Sequence, residues 1–509
     1  MNQSKIKKSL YNSITMIIST IVSSVLSFIS TNLILKNYGS DFNGVFATAN
    51  QIVSLLLIVE GGFSLAINFS LFKPYVDDNI DKINSIMSAS KKIFMKIGLI
   101  FFIVGTIVAL VYSIIIKSNL DYITIFLIFL MVISSTAFNL FFVIKAQILF
   151  QVSQREYIYN LIGILVNFFS GITTILLAYY QFNILIIRLS MLIYSIINGI
   201  LILIIHRRYF TYINYSVDPD FGQIKGTKDI VLQKLMSVIY LSSPLLYIST
   251  FISTKVASVY SVYSSIYNIV KTFLYALISA PINGFGQLIS NTKLEIVYEK
   301  YKIYEYIIIL VSLILITSLL IVILPFISIY TVSVTDINYV DKYMSVLLAL
   351  ILFLEVIHIP AGNIINVSGN FKAARNIQII SCLTLAVFLT ILGILFGIYG
   401  VLIAIAITNL VLATLEITYT HLKIFKQKII EYLKLLFTNF MFSIFLFVIA
   451  QNINLPIYNY LTFFIVGFVV FLVISILFIV FNYIFLNKYF KLLIGIIKQL
   501  FSQFKSKKI

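Results

Sequence analysis

The chain has 509 residues, 61% of them hydrophobic and only 11% charged, with 33 Tyr, 44 Phe and no Trp. Soluble domains carry about 25% charged residues, so this composition excludes a water-soluble globular protein. The basic excess, 36 Lys and Arg against 18 Asp and Glu for a net charge of +18, follows membrane topology and implies no nucleic acid.

Apolar runs of about 20 residues, each long enough to cross a hydrocarbon core roughly 30 Å thick, recur from Ser13 almost to the C-terminus. They predict an all-α polytopic membrane protein with fourteen spans: 13 to 35, 42 to 69, 93 to 116, 120 to 144, 157 to 180, 183 to 205, 230 to 254, 256 to 290, 303 to 330, 339 to 367, 376 to 396, 398 to 420, 433 to 450 and 461 to 486. With the N-terminus in the cytoplasm, thirty of the 36 basic residues lie inside. Lys36, Lys117, Lys255 and Lys342 fall outside, and Arg188 and Lys271 within spans. This positive-inside bias places both termini in the cytoplasm.

Span one carries a hydroxyl stripe, Ser13, Thr20, Ser24, Ser27 and Thr31, suited to helix packing or to lining an aqueous lumen. In span two, Glu60 precedes Gly61-Gly62, which permits close helix approach or a bend. Charges in hydrocarbon are costly enough that each is a candidate functional residue. Arg188, at the outer end of span six, either snorkels to the head groups or offers its planar donor fork to a phosphate.

Residues 1–205 then form an N-terminal lobe of spans one to six and 206–229 a cytoplasmic linker containing Asp218-Pro219-Asp220. Residues 230–420 form a C-terminal lobe of spans seven to twelve. Each lobe begins and ends inside, so the two are expected to be parallel repeats. A weak sequence trace agrees: Gly44-Val45-Phe46 aligns with Ser258-Val259-Tyr260.

Lys271 lies near the middle of span eight. At 100° per residue, Tyr260, Ser264, Tyr267, Asn268, Lys271 and Tyr275 share one face, offering a cation, hydrogen-bonding groups and aromatic surface to an anionic, sugar-bearing head group. The repeat offset sets Lys271 opposite Leu57, one turn from Glu60, so these two charges are expected to face each other across a lumen; alternatively Glu60 simply neutralises a structural Lys. In span ten, Glu355 and His358 are helical neighbours ahead of Pro360. They form either an ion relay or a satisfied pair at a kink. Glu416 and His421 read as interfacial. Spans 13 and 14 occupy 421–486, and residues 487–509 read as a basic amphipathic tail on the inner membrane face.

The sequence holds no G-x-x-x-x-G-K-[ST] phosphate loop. Its three histidines are scattered and its one cysteine, Cys382, lies inside a span, so neither a metal cluster nor a disulfide framework is expected. The first span lacks a small-residue cleavage site, so no cleavable signal is read. Connections this short leave no room for a catalytic domain, which favours a transporter over an enzyme. No cofactor is expected beyond H+ or Na+ as a coupling ion.

Three segments resemble the bacterial polysaccharide repeat-unit flippases (O-antigen, Wzx-like) of the multidrug/oligosaccharidyl-lipid/polysaccharide exporter superfamily. They are Asn37-Tyr38-Gly39-Ser40-Asp41-Phe42-Asn43-Gly44-Val45-Phe46 with Glu60-Gly61-Gly62-Phe63-Ser64-Leu65-Ala66, then Pro360 to Arg375, then Tyr399 to Leu410. In the first, Tyr38 replaces the family's usual leucine. The resemblance implies two six-helix lobes in a V with two added C-terminal spans, in a bacterial cytoplasmic (inner) membrane. It also implies undecaprenyl-diphosphate-linked oligosaccharide as cargo, alternating access as mechanism, and a polysaccharide polymerase and chain-length machinery as partners. Lys271 and Arg188 match the family's cationic lumen; Glu60 and Glu355 depart from it and leave room for ion coupling. A lipid II or teichoic-precursor flippase, a cation-coupled drug exporter, a membrane glycan polymerase or transferase, and a scaffold for glycan assembly are the alternatives.

Overall fold

The structure is a computed structural model that describes residues 3–223, 228–492 and 494–495. Among the described residues every regular element is helical. In chain order these are α1 (Gln3–Tyr38), α2 (Ser40–Leu56), α3 (Ile58–Val76), α4 (Ile80–Ile115), α5 (Tyr122–Phe138), α6 (Ile144–Val152), α7 (Glu156–Tyr179), α8 (Ile184–Tyr209), α9 (Lys228–Tyr247), α10 (Thr254–Ser279), α11 (Ile282–Asn291), α12 (Leu294–Tyr330), α13 (Lys342–Val367), α14 (Phe371–Thr418), α15 (Ile430–Ala450) and α16 (Tyr460–Phe485). Short π-helical turns at Asn139–Val143, Ile248–Ile252 and Tyr419–Ile424 follow α5, α9 and α14.

Among the described residues twelve helical segments are long and apolar enough to cross a membrane, and α2 with α3, bent by 48° between Leu56 and Glu60, makes a thirteenth. Gly397, at φ 55° and ψ −131°, breaks the 54-residue segment Phe371–Ile424 into two. The fourteen expected spans are therefore present. Polar side chains set where they start: Asn79 accepts from the Lys82 N–H, Asp121 from Thr124, Asp341 from Met344, and Asn459 from Thr462 in a reciprocal capping box.

The chain divides into two compact units, Met1–Ser261 with Ser333–Ile337, and Val262–Val332 with Asn338–Ile509. In the first, Phe94, Ile86, Leu149 and Phe150 are buried in a core between α3, α4, α6 and α7. Residues 210–220, expected as linker, are pinned to α4: Asn84 Nδ2 donates to the Tyr212 carbonyl at 3.2 Å, and Ser88 Oγ to the Val217 carbonyl at 2.6 Å. This docking withdraws the Tyr212 ring from water, and burial pushes its hydroxyl up to about 12.

In the second unit α13 is the central element: 72% of its most apolar window is buried, against 11% for α16. α16 instead presents Phe464 and Phe468 outward, as a lipid-facing helix does. Spans thirteen and fourteen are held by polar bonds: Asn482 Nδ2 donates to Asn439 Oδ1 at 2.9 Å with both residues fully buried, and Thr317 and Ser443 share a hydroxyl bond of 2.6 Å. The expected amphipathic tail at 487–509 lies mostly outside the described residues; 487–492 are helical.

Candidate functional site

The first family-like segment has a physical reason in the first unit. Gly44 sits against the start of α10, where an added Cβ would fall 1.9 Å from the Thr254 carbonyl oxygen. Around that contact Asn43 Nδ2 donates to Ser258 Oγ at 2.8 Å, and Thr254 Oγ1 donates to Asp41. The two segments aligned by the repeat, 44–46 and 258–260, thus begin beside each other. Lys255 Nζ lies 3.9 Å from Asp41 and 3.8 Å from Asp336, whose carboxylate also takes the Ser40 N–H at 2.9 Å. Asp41, Lys255 and Asp336 carry no site role in the sequence alone because each stands near a span end, where a lone charge is ordinary.

Arg188 is buried in the same unit, 4% exposed, with its guanidinium 3.5 Å from the centre of the Phe46 ring and Nη1 3.3 Å from Met191 Sδ. Its Nε has no hydrogen-bond partner among the described residues. Snorkelling to the head groups, one of the two expectations, is not what this side chain does. Glu60 stands just past the bend between α2 and α3 and accepts the Ser64 hydroxyl from the next turn.

In the second unit, four α10 residues spaced by four form a column. Tyr263 donates to the Tyr339 carbonyl at 2.9 Å and Tyr267 to the Ser345 carbonyl at 2.7 Å. Lys271 Nζ is 2.6 Å from Glu355 Oε1, and Tyr275 donates to that same oxygen at 2.8 Å. The ammonium also lies 5.4 Å from the centre of the Tyr275 ring. Within the second unit, Lys271 is therefore paired with Glu355, a carboxylate on α13 that the sequence grouped with His358.

Lys271 and Glu355 keep 21% and 14% of their side-chain surface exposed, so the pair is partly open rather than sealed. Of the other predicted face, Asn268 is exposed, Ser264 and Tyr260 are half-buried, and Tyr267 is buried with its hydroxyl already bonded. Tyr260 belongs to the first unit and the rest to the second.

Glu355 and His358 do not pair with each other. His358 Nδ1 is 2.8 Å from Glu416 Oε2, and α13 runs on through Pro360 to Val367. Glu416 and His421, expected at the interface, are buried at 4% and 0% exposure. Space for the Glu416 carboxylate comes from Gly362, where a Cβ would stand 2.5 Å from its Oε2. The second family-like segment ends α13 at Gly369, φ +76°, with Asn370 N–H bonded to the Ile365 carbonyl and Gly369 N–H to Asn366. This is the paired-bond helix stop that favours glycine at its left-handed position.

A partly exposed Lys–Glu–Tyr cluster in a membrane-spanning unit can offer its ammonium to an anion when the carboxylate lets go. No cluster of three or more His, Cys, Asp or Glu able to hold a metal occurs among the described residues.

No family model and no curated protein matches the chain. Among solved structures it is similar to the lipid II flippase MurJ in an inward closed conformation, at 16% identity over 91% of this chain and 98% of that one, with a TM-score of 0.63. It is similar to an inward-facing multidrug-resistance MATE transporter of the MOP superfamily at 11% identity, over 79% of this chain and 96% of that one, TM-score 0.64. It is also similar to the MATE multidrug transporter DinF-BH at 16% identity, over 83% and 97%, TM-score 0.60. At such identities the likeness is one of fold, and the chain has the fold shared by these membrane flippases and multidrug transporters.

Proposed function

We propose that this protein is a flippase that carries undecaprenyl-diphosphate-linked oligosaccharide from the inner to the outer leaflet of a bacterial cytoplasmic membrane, for surface polysaccharide assembly. The observation that carries the reading is the Lys271–Glu355 pair, 2.6 Å apart and partly open inside a span. Its ammonium suits a diphosphate, and the pair lies in a chain whose fold is shared with a flippase of another lipid-linked precursor. Both termini are taken as cytoplasmic, and the two lobes divided by 206–229 rock against each other to alternate access.

In this scheme the diphosphate competes with Glu355 for Lys271. The carboxylate released from Lys271 is then open to the coupling ion, H+ or Na+. Asn268, Ser264 and Tyr260 offer hydrogen bonds to sugar, Arg188 meets the phosphate at the outer end, and Glu60 and His358 complete the gating charges. A polysaccharide polymerase and its chain-length partner take the product outside. A lipid II flippase is the second reading, favoured by the fold likeness spanning 91% of the chain.

The test is the leaflet distribution of lipid-linked oligosaccharide in the host after depletion of the protein. Inner-leaflet accumulation relieved by wild type but not by Lys271→Ala supports the reading. Relief by a normally expressed Lys271→Ala overturns the site, and accumulation of lipid II instead moves the assignment to the second reading.

A further inference from the structure

Glu305 and His421 stand outside the Lys271 cluster and no transport step above uses them. His421, in the π-helical turn after α14, is fully buried, and Glu305 on α12 is 4% exposed. Two groups bracket the imidazole: Nε2 is 3.1 Å from Glu305 Oε1 and Nδ1 is 3.3 Å from the Tyr298 hydroxyl. A hydroxyl both donates and accepts. Tyr298 therefore donates to a bare Nδ1 when the ring is neutral and accepts from its N–H when the ring is an imidazolium, while Nε2–H donates to Glu305 in both. The ring changes charge without losing a hydrogen bond, which is what a proton store requires of its surroundings.

The titratable and charged groups around it come from every packed element. α12 supplies Tyr298, Tyr301, Tyr304 and Lys302, the last bonded to Glu299 at 2.6 Å. α15 supplies Tyr432, 5.4 Å ring to ring from His421, and the exposed Glu431, which the Tyr489 hydroxyl approaches at 3.4 Å. Five residues before His421, Glu416 holds His358. The Tyr432 hydroxyl is buried with no hydrogen-bond partner among the described residues. A small pocket is lined by Glu305 and His421 together with Lys302, Glu431 and Tyr489. Glu431, Tyr432 and Tyr489 all belong to the part of the chain that follows span twelve.

We propose that Glu305–His421 is a proton-binding site, completed by span thirteen and the short helix after span fourteen, that exchanges one proton with the water phase on the side of this pocket. The added C-terminal spans thereby supply one wall of an ionisable site. Use of the proton in transport rests on the flippase reading; the site itself rests on the geometry alone.

The experiment is 15N-histidine NMR of the full chain in lipid nanodiscs, where only three histidines contribute and His206→Gln and His421→Gln assign the signals. The site requires the His421 ring to pass between singly and doubly protonated forms as the pH is lowered across the range in which the protein stays folded. Glu305→Gln is expected to lower the ratio of doubly to singly protonated ring at a given pH about tenfold, since the neighbouring negative charge is gone. A wild-type ring that stays in one form across the range overturns the site even where the variant fails to fold, and so does a ratio unchanged in Glu305→Gln. Failure of the flippase reading appears elsewhere, as absent lipid movement in vesicles, and leaves this titration in place.

Discussion

Lys271 shows how a single residue can be legible in kind and not in partner. A lysine deep in an apolar run is visible in the sequence because hydrocarbon tolerates so few charges, and Glu355 stands out for the same reason. Their pairing depends on which helices are neighbours and at what height, which periodicity within one helix does not encode, so the sequence groups Glu355 with His358 instead. His358 and Glu416 make the same point: their bond crosses from α13 to α14 through room left by Gly362. Removing one member of the pair leaves the other charge without its counter-ion, a loss that in buried pairs reaches about 3 kcal/mol; partial exposure reduces it here. Lys271→Met and Glu355→Gln are each expected to lower the melting temperature of the purified protein, whereas the double variant recovers most of that loss but does not recover transport. Recovery of both by the double variant would make the pair structural only.

At the scale of elements, the spans were readable because each is an uninterrupted apolar run, and the breaks were readable where glycine allows them. Gly397 separates spans eleven and twelve as expected, and Gly369 stops α13. Pro360 does not end its helix: the proline takes one backbone donor away, yet α13 continues because its surroundings inside the unit hold it. The bend in span two falls at Leu57, ahead of Glu60 rather than within Gly61-Gly62. Asparagines 439 and 482 gave no signal in sequence, being single polar residues in two long apolar helices, but they meet as a buried interhelical bond. Asn482→Leu is expected to weaken the packing of span fourteen by about 0.6 kcal/mol, the usual worth of such a bond in a membrane, seen as a small fall in melting temperature with transport retained. A fall that abolishes folding would give these spans a larger part in stability than the bond explains.

For the whole molecule, fourteen spans and an all-helical architecture followed from composition and hydropathy, and the fold likeness to flippases and multidrug transporters agrees with them. The orientation rests on thirty of 36 basic residues falling on one side. With Cys382 changed to serine, a single cysteine at Lys426 is expected to be shielded from an impermeant maleimide in intact cells and one at Tyr458 to be labelled; the reverse pattern would invert the topology. What the sequence could not supply is the cargo, because a cation beside a carboxylate in a span serves many anions. Transbilayer movement of undecaprenyl-diphosphate-linked oligosaccharide in vesicles holding only the purified protein tests the central claim most directly. The account predicts movement well above protein-free vesicles, lost in Lys271→Ala; movement no faster than in protein-free vesicles, or conversion of the lipid-linked sugar to a new product, would contradict it.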